Sequence, residues 1–341
     1  MDCFILSKKE QLANDPAASL PPSFRIFEVS ELEKATRGYR PSRKIVDGEF
    51  GGFYKGIIKK SDAKQRVMVQ QIQGTILEAK SHEEWVREVA IHAAIDHPNL
   101  IKVVGYCAPL RHGIRRYLVQ EFARNGTVQD HLFNPSRQPL PWERRLTIAQ
   151  AAARAMAYLH QGIKGHNEIL FSCFKSSIVF LDENFNAKVA DYATARLGPF
   201  PGVFVETKRQ CSLAYGQLEY YMGYAAPEFF TNHKLTSMNN VWSYGIFVFQ
   251  LITGRRPFDR NLPRQEQNLV NWVKTCLANT KLCEQILDPR LQGRVCIQSA
   301  MGLAAVANLC LEEDPNLRPK MGEVAVMVSR IVEAAIDQND S

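Results

Sequence analysis

Long hydrophobic runs are scarce in this chain of 341 residues. The longest, residues 241–253 (VWSYGIFVFQLIT), is too short to cross a bilayer and predicts a buried helix. Cysteine is present but unpatterned: 8 residues with no CxxC spacing exclude a dense disulfide framework and fit reduced thiols. The first ten residues, MDCFILSKKE, lack the basic, long apolar and cleavage regions of a secretory signal. Charge of one sign is also short. Lys and Arg (42) against Asp and Glu (35) leave +7, too small and too evenly spread to indicate a nucleic-acid partner. No internal repeat is visible. What is present is ordinary globular material, 45% hydrophobic and 23% charged, which excludes a disordered or fibrous chain. At about 150 residues per domain, the length allows two domains or one bilobal one. A soluble intracellular protein is expected.

Residues 1–23, with ANDPAASLPPS, have little to bury and are expected to form a flexible tail. Residues 24–40 place apolar side chains at helical spacing over 27–39, with Ser30 as N-cap and Glu33 three residues on. Strand-like runs follow at 52–58, 66–72, 100–106 and 117–122, interrupted by one helix at 82–95. From Thr127 the periodicity is mainly helical, as at 142–160, 241–253, 268–277 and 301–311. A small β-rich part followed by a larger helical part is an α+β order.

Particular residues mark this layout. They include Tyr54-Lys55-Gly56 after a Gly-rich turn, Glu88-Val89, His97-Pro98-Asn99-Leu100-Ile101, and Tyr158-Leu159-His160. Further on stand Asp191, Gly223-Tyr224-Ala225-Ala226-Pro227-Glu228, Thr253-Gly254-Arg255 and the run DPNLRP at 314–319. In this order, residues 40–335 resemble the eukaryotic protein kinase fold. Phe27, Glu31-Leu32, Ala35-Thr36, Tyr39 and Asn268-Leu269-Val270-Asn271-Trp272 narrow the resemblance to the plant receptor-like cytoplasmic kinases. The resemblance implies a bilobal α+β fold, with an N-lobe at 41–122, a C-lobe at 123–335 and a short tail at 336–341.

It also assigns catalytic positions, and several hold unusual residues. The three glycine-loop positions fall on Val46, Gly48 and Gly51, so one glycine is lost, although two suffice for a hairpin turn. The lysine that would contact the nucleotide phosphates is Gln70, an amide that donates but carries no charge. Glu88 loses that ionic partner and is left solvated or re-paired; Lys55 and Lys102 are the other candidate cations. The catalytic loop aligns with FSCFKSSIVFLD at 171–182. Its base position holds Cys173, read as a buried hydrophobe more readily than as an ionised thiol. Ser172 stands where an arginine would receive an activating phosphate. Ile178 stands where an asparagine would bind a second Mg²⁺, and it has no ligand atom. Asp191 remains, either as a weak metal ligand or as a turn cap, and is followed by Ala193 where glycine is usual.

Around the implied adenine position, Phe53, Met68 and Phe180 all enlarge the expected side chains, and they are expected to fill that space. A slip of one residue in the alignment is the alternative. Glu228 and Arg318 match a structural ion pair, His92 is expected to be packed, and Asn240 replaces an aspartate that anchors the catalytic loop. The segment before Glu228 is long. It carries Thr207 and Ser212 as phosphorylation candidates and Tyr215, Tyr220 and Tyr221 as a partner surface or simply part of a longer loop. Asp2 forbids N-myristoylation, leaving Cys3 near Lys8-Lys9 as one weak lipid anchor.

These substitutions lead to the expectation of a pseudokinase: a scaffold or decoy with no cofactor, and with vestigial sites at Gly48, Gly51 and Asp191. Its expected partners are active kinases, receptor kinases or immune receptors in plant signalling. It is expected to be cytoplasmic and to reach the plasma membrane only peripherally, through partners or Cys3. The alternatives are a weak, unconventional Ser/Thr kinase using ATP and Mg²⁺, and a nucleotide sensor without turnover.

Overall fold

The computed structural model describes residues 20–21, 24–48, 51–60, 63–72, 81–108, 115–162, 168–171, 173–192, 196–197, 223–232, 235–277, 285–291 and 295–337. The chain divides into two compact units. The first runs to Asp96 and resumes over Ile101–Phe122. The second comprises His97–Leu100 and everything from Ala123.

Unit 1 is built on a six-stranded sheet of order β1-β5-β6-β4-β3-β2. The strands are β1 (Arg25–Ile26), β2 (Lys44–Gly48), β3 (Gly51–Lys60), β4 (Ala63–Ile72), β5 (Val103–Cys107) and β6 (Arg116–Glu121). All neighbours are antiparallel except β1, which lies parallel to β5. The strand predicted at 100–106 starts later, because residues 97–100 fold with unit 2: Val189 N–H donates to the Asn99 carbonyl at 2.8 Å. Two-residue β1 and the half-exposed β2 gave too little alternation to be read from sequence.

Helix α1 (Val29–Thr36) covers one face of this sheet. Ser30 is not its N-cap. Glu28 occupies that position in extended backbone without a side-chain cap, and Ser30 falls within the first turn. The reason is upstream: Phe27 N–H is bound to the Tyr106 carbonyl at 2.8 Å, so the chain leaves the sheet at once and turns. Leu32 and Ala35 then pack with Phe27, Ile58, Val67, Val69, Tyr117 and Val119 in one apolar cluster. The second helix of unit 1, α2 (His82–Ala93), is begun by a capping box between Ser81 and Glu84.

Unit 2 contains α3 (Val128–Phe133), α4 (Trp142–His160), α5 (Pro227–Asn232), α6 (Ser237–Thr253), α7 (Leu269–Leu277), α8 (Ile297–Cys310) and α9 (Met321–Asp337). Two small antiparallel pairs join them: β7 (Ile169–Leu170) with β10 (Arg196–Leu197), and β8 (Val179–Leu181) with β9 (Ala187–Val189). The apolar run 241–253 is indeed the body of a buried helix, α6, and the span predicted for α4 coincides with the observed one.

A buried charge cluster braces unit 2. Arg145 on α4 is 0% exposed, and its guanidinium donates to the Leu140 and Leu251 carbonyls and, at 2.7 Å, to Asp288. Arg290 reaches the same carboxylate at 2.7 Å. Gly254 ends α6 in the left-handed region (φ 64°), and any side chain there would run into that carboxylate. Both requirements, positive φ and close approach, call for glycine. Burial by itself would raise the Asp288 carboxyl, but the two arginines outweigh it and hold the group below the usual carboxylate range. Asp288→Ala is expected to cost about 3–5 kcal/mol, because it strands Arg145 without a counter-charge. Chemical denaturation of the full chain, compared with wild type, measures this loss.

Candidate functional site

In unit 1 the candidate residues gather on β2, β3 and β4. Gly48 and Gly51 face each other across the β2–β3 hairpin. Gly51 has φ 149°, and a side chain there would collide with the Gln71 carbonyl oxygen, so this position admits only glycine. Across the sheet Phe53 pairs with Gln70, Lys55 with Met68, and Met68 with Gln120. Directly opposed residues share a face. Phe53, Lys55, Met68, Gln70 and Gln120 therefore lie on the face opposite the one covered by α1. Phe53, Met68, Gln70 and Gln120 are buried, whereas Lys55 is exposed. Lys102 stands ahead of β5 instead, 3.9 Å from Asp96.

Gln70 is hydrogen-bonded within this face: Gln120 Nε2 donates to Gln70 Oε1 at 3.0 Å. The sequence reading did not single out Gln120. The available signal was a single amide inside the apolar run YLVQEF at 117–122.

Glu88 is buried on α2 and has a charge neighbour in Arg116. Burial lowers the Arg116 pKa, while the Glu88 and Glu84 carboxylates oppose that shift. Arg116 also donates to the Ser81 carbonyl at 3.3 Å and lies over the Trp85 ring. Arg116 on β6 is thus one cation near Glu88. His92, farther along α2, is buried.

In unit 2 the segment from β7 to β8 is held from beneath by Asn240 on α6. Its Oδ1 accepts from Phe171 N–H at 2.9 Å, and its Nδ2 donates to the Phe171 carbonyl at 2.5 Å. The same Oδ1 lies 3.2 Å from His160 Nε2, which must therefore carry the ring proton in the neutral imidazole. Replacing the expected aspartate has not released the anchor. A carboxamide grips both the donor and the acceptor of one peptide residue, which a carboxylate cannot do.

Cys173 is buried, and its charged form would act on the buried Tyr224 hydroxyl. Tyr224 donates to Gln250 Oε1 at 3.1 Å, and burial pushes its phenol up to about 12. Lys175, Ile178 and Phe180 are all buried, the last on β8. Phe53 and Met68 share a face in unit 1, whereas Phe180 belongs to unit 2.

Asp191 is buried and adopts φ 63°, a left-handed conformation uncommon outside glycine. Such backbone outliers cluster at functional sites. Among the described residues no group of three or more His, Cys, Asp or Glu side chains could hold a metal. A cation at Asp191 would complete its shell with ligand oxygens, as Mg²⁺ does when it binds one or two carboxylates plus phosphates.

Glu228 and Arg318 form a bidentate pair at 2.7 and 2.9 Å, with Asn239 donating to the same carboxylate at 2.7 Å. Cys3, Ser172, Ala193, Thr207, Ser212, Tyr215, Tyr220 and Tyr221 lie outside the described residues.

His160 supplies a pH test of the anchor. Burial drives its pKa from 6.5 to about 4, while the bond to Asn240 opposes the shift. The unfolded chain therefore takes up a proton at a higher pH than the folded one. The corresponding stability is complete above pH 6.5 and is lost as pH falls toward 4. Replacing His160 by Gln should flatten the loss of thermal stability across this window by up to about 3 kcal/mol. Melting curves at stepped pH, wild type beside His160→Gln, check the slope.

Comparison with known proteins brings in the chemistry. The protein tyrosine and serine/threonine kinase family matches residues 40–328. Serine/threonine-protein kinase PCRK2 of Arabidopsis thaliana is 42% identical over 96% of this chain and 76% of its own length. Serine/threonine-protein kinase PCRK1 of the same plant is 42% identical over 94% of this chain and 75% of its own. Probable serine/threonine-protein kinase PBL11, also from Arabidopsis, is 35% identical over 87% and 75%. These findings overturn the expectation of a non-catalytic scaffold without a cofactor. Relatives this similar over nearly the whole chain are named as kinases, and kinases require ATP and Mg²⁺. That expectation had taken the replacements at Gln70, Cys173 and Ile178 together as loss of the chemistry. Phosphoryl transfer rests chiefly on positioning and spread electrostatics, which the remaining groups can share. From the glycine hairpin to α9, this chain belongs to the protein kinase family.

Proposed function

We propose that the chain is an ATP-dependent Ser/Thr protein kinase of the plant receptor-like cytoplasmic type, acting beside receptor kinases in signalling. The observation that carries this reading is the 42% identity to named serine/threonine-protein kinases over 96% of the chain. Bound Mg-ATP supplies the transferable phosphoryl group and neutralises part of its charge.

The chain's own residues have definable tasks. The hairpin between Gly48 and Gly51 is the proposed turn whose backbone N–H groups approach phosphate oxygens. Gln70 adds no charge, and exposed Lys55 on the same face supplies a cation. Asp191 contributes the one carboxylate for the metal. Cys173 occupies the proton-accepting position, where a neutral thiol is a poor base. Proton transfer by a positioned base contributes typically 10²–10⁴-fold, so the reaction is expected to be slow.

The partners proposed are receptor kinases and other kinases, with Thr207, Ser212, Tyr215, Tyr220 and Tyr221 as candidate regulatory or docking positions. No helix among the described residues is long and apolar enough to cross a membrane. Cys3 is the proposed point of lipid attachment for peripheral association.

Transfer of ³²P from [γ-³²P]ATP to the chain itself and to a generic basic protein substrate tests the activity. Wild type is expected to incorporate label slowly and Asp191→Ala to lose it. The combined substitutions Gln70→Lys, Cys173→Asp and Ile178→Asn should raise the rate by about 10²-fold or more. Incorporation by wild type no greater than by Asp191→Ala would sink the proposal.

A further inference from the structure

The basic excess, small over the whole chain, gathers in the fold at one end of β3 and β4. Residues 55–66 hold five Lys and Arg against one Asp, and neither strand itself contains an acidic residue. In the register Ile57 lies opposite Arg66, and Lys59 opposite Lys64. Alternation along β3 puts these four on the face that also carries Lys55, away from the cluster packed under α1. All five side chains are exposed, Ile57 by 41%. Arg25 Nη1 reaches the same end, donating to the Lys59 carbonyl at 3.0 Å, and its counter-ion Glu31 is held by Nη2 at 2.7 Å.

This arrangement costs stability. Like charges directly opposed across two strands, as at Lys59 and Lys64, destabilise a sheet. An isoleucine left in water forgoes the gain of burial. The two strands also run on past their sheet partners here: pairing with β2 ends at Tyr54, and pairing with β6 ends at Val67. Lysines alone would guard the open edges of such a projection against other strands. Ile57 in their midst works against that purpose, so edge protection accounts for the cations and not for the apolar side chain. A surface that is anionic outside and apolar just beneath accounts for both.

We propose that this face of the β3–β4 hairpin docks on membranes, with Lys59, Lys64 and Arg66 on anionic lipid headgroups and Ile57 entering the interface between them. Basic side chains beside an anionic leaflet add attraction residue by residue. Two features favour a membrane over another polyanion. One is Ile57, which a purely ionic partner would leave unused. The other is the proposed attachment at Cys3, because one acyl chain binds only marginally and stable anchoring takes a second signal. The hairpin supplies that signal. Ile57 lies about 20 Å along β3 from Gly51, so the docking face and the glycine hairpin occupy opposite ends of one strand. The surface does not depend on the phosphoryl-transfer reading.

Vesicle co-sedimentation of the full chain carrying Cys3→Ser, so that no acyl group contributes, tests the proposal. The vesicles are phosphatidylcholine alone, or with a third of phosphatidylserine. The chain with no further change is expected to bind the mixed vesicles only, and less as salt rises. K59Q/K64Q/R66Q should weaken binding about tenfold or more. Ile57→Ser should weaken it about threefold or more. A control, R264Q/K320Q/R330Q, removes three exposed cations of unit 2 and should change it less than about twofold. Circular-dichroism melts check that each variant folds; if the hairpin triple does not, K59Q/K64Q is read in its place. No binding to the mixed vesicles, or equal weakening by control and hairpin variants, would overturn the proposal. Unchanged binding by Ile57→Ser would overturn it too, since another polyanion needs only the cations. So would release from the vesicles by double-stranded DNA at equal phosphate concentration.

Discussion

One side chain holds the segment that the rest of unit 2 is arranged around. Asn240 bonds both the N–H and the carbonyl of Phe171, and His160 closes on the same oxygen. Buried backbone groups without partners are costly, so these contacts determine where the segment can run. Phe171 then meets Phe174, and Phe174 meets Phe247 and Tyr244 on α6, the helix that carries Asn240 itself. Polar anchor and aromatic packing thus come from one helix and support each other. Cys173 and Lys175, within and beside this bracket, inherit its rigidity without having to supply it.

The same economy recurs wherever a charged family residue has been exchanged for a neutral one. At 240 a carboxamide replaces a carboxylate and gains a donor. At 70 a carboxamide replaces an ammonium, and Gln120 meets its oxygen. Neither exchange leaves a buried charge unpaired, which would cost far more than the hydrogen bonds gained. Two charge sets are kept in the interior of unit 2: Arg145 with Asp288 and Arg290, and Arg318 with Glu228. The catalytic region therefore has less fixed charge than its family pattern while its surroundings stay fully braced.

How far the sequence revealed this depended on the kind of signal. Helix α4 was legible to its ends, because nineteen residues of helical periodicity outweigh local ambiguity. The start of α1 was not, since it is fixed by a contact between Phe27 and Tyr106 that no local pattern encodes. The β-strands were legible where they alternate or run apolar, and invisible in two-residue β1. At the site, Gln70, Cys173 and Ile178 were singled out from the family pattern, and the inactivity inferred from them is overturned by the similarity to named kinases. Reading a missing lysine as a missing function assumes that its neighbours stay unchanged. Gln120 and the two-way bond of Asn240 show neighbours suited to the replacement, and only coordinates place Gln120 beside Gln70.

Helix α2 illustrates what such a rearrangement does to coupling. In the family pattern, a glutamate on this helix pairs with the lysine now replaced by Gln70, so helix position and phosphate contact depend on one another. Here the cation that answers Glu88 and Glu84 is Arg116, on β6. Arg116 also holds the Ser81 carbonyl at the helix start and covers Trp85. Three kinds of contact therefore tie the first turns of α2 to β6: charge, hydrogen bond and ring stacking. None of these three needs a charge on β4.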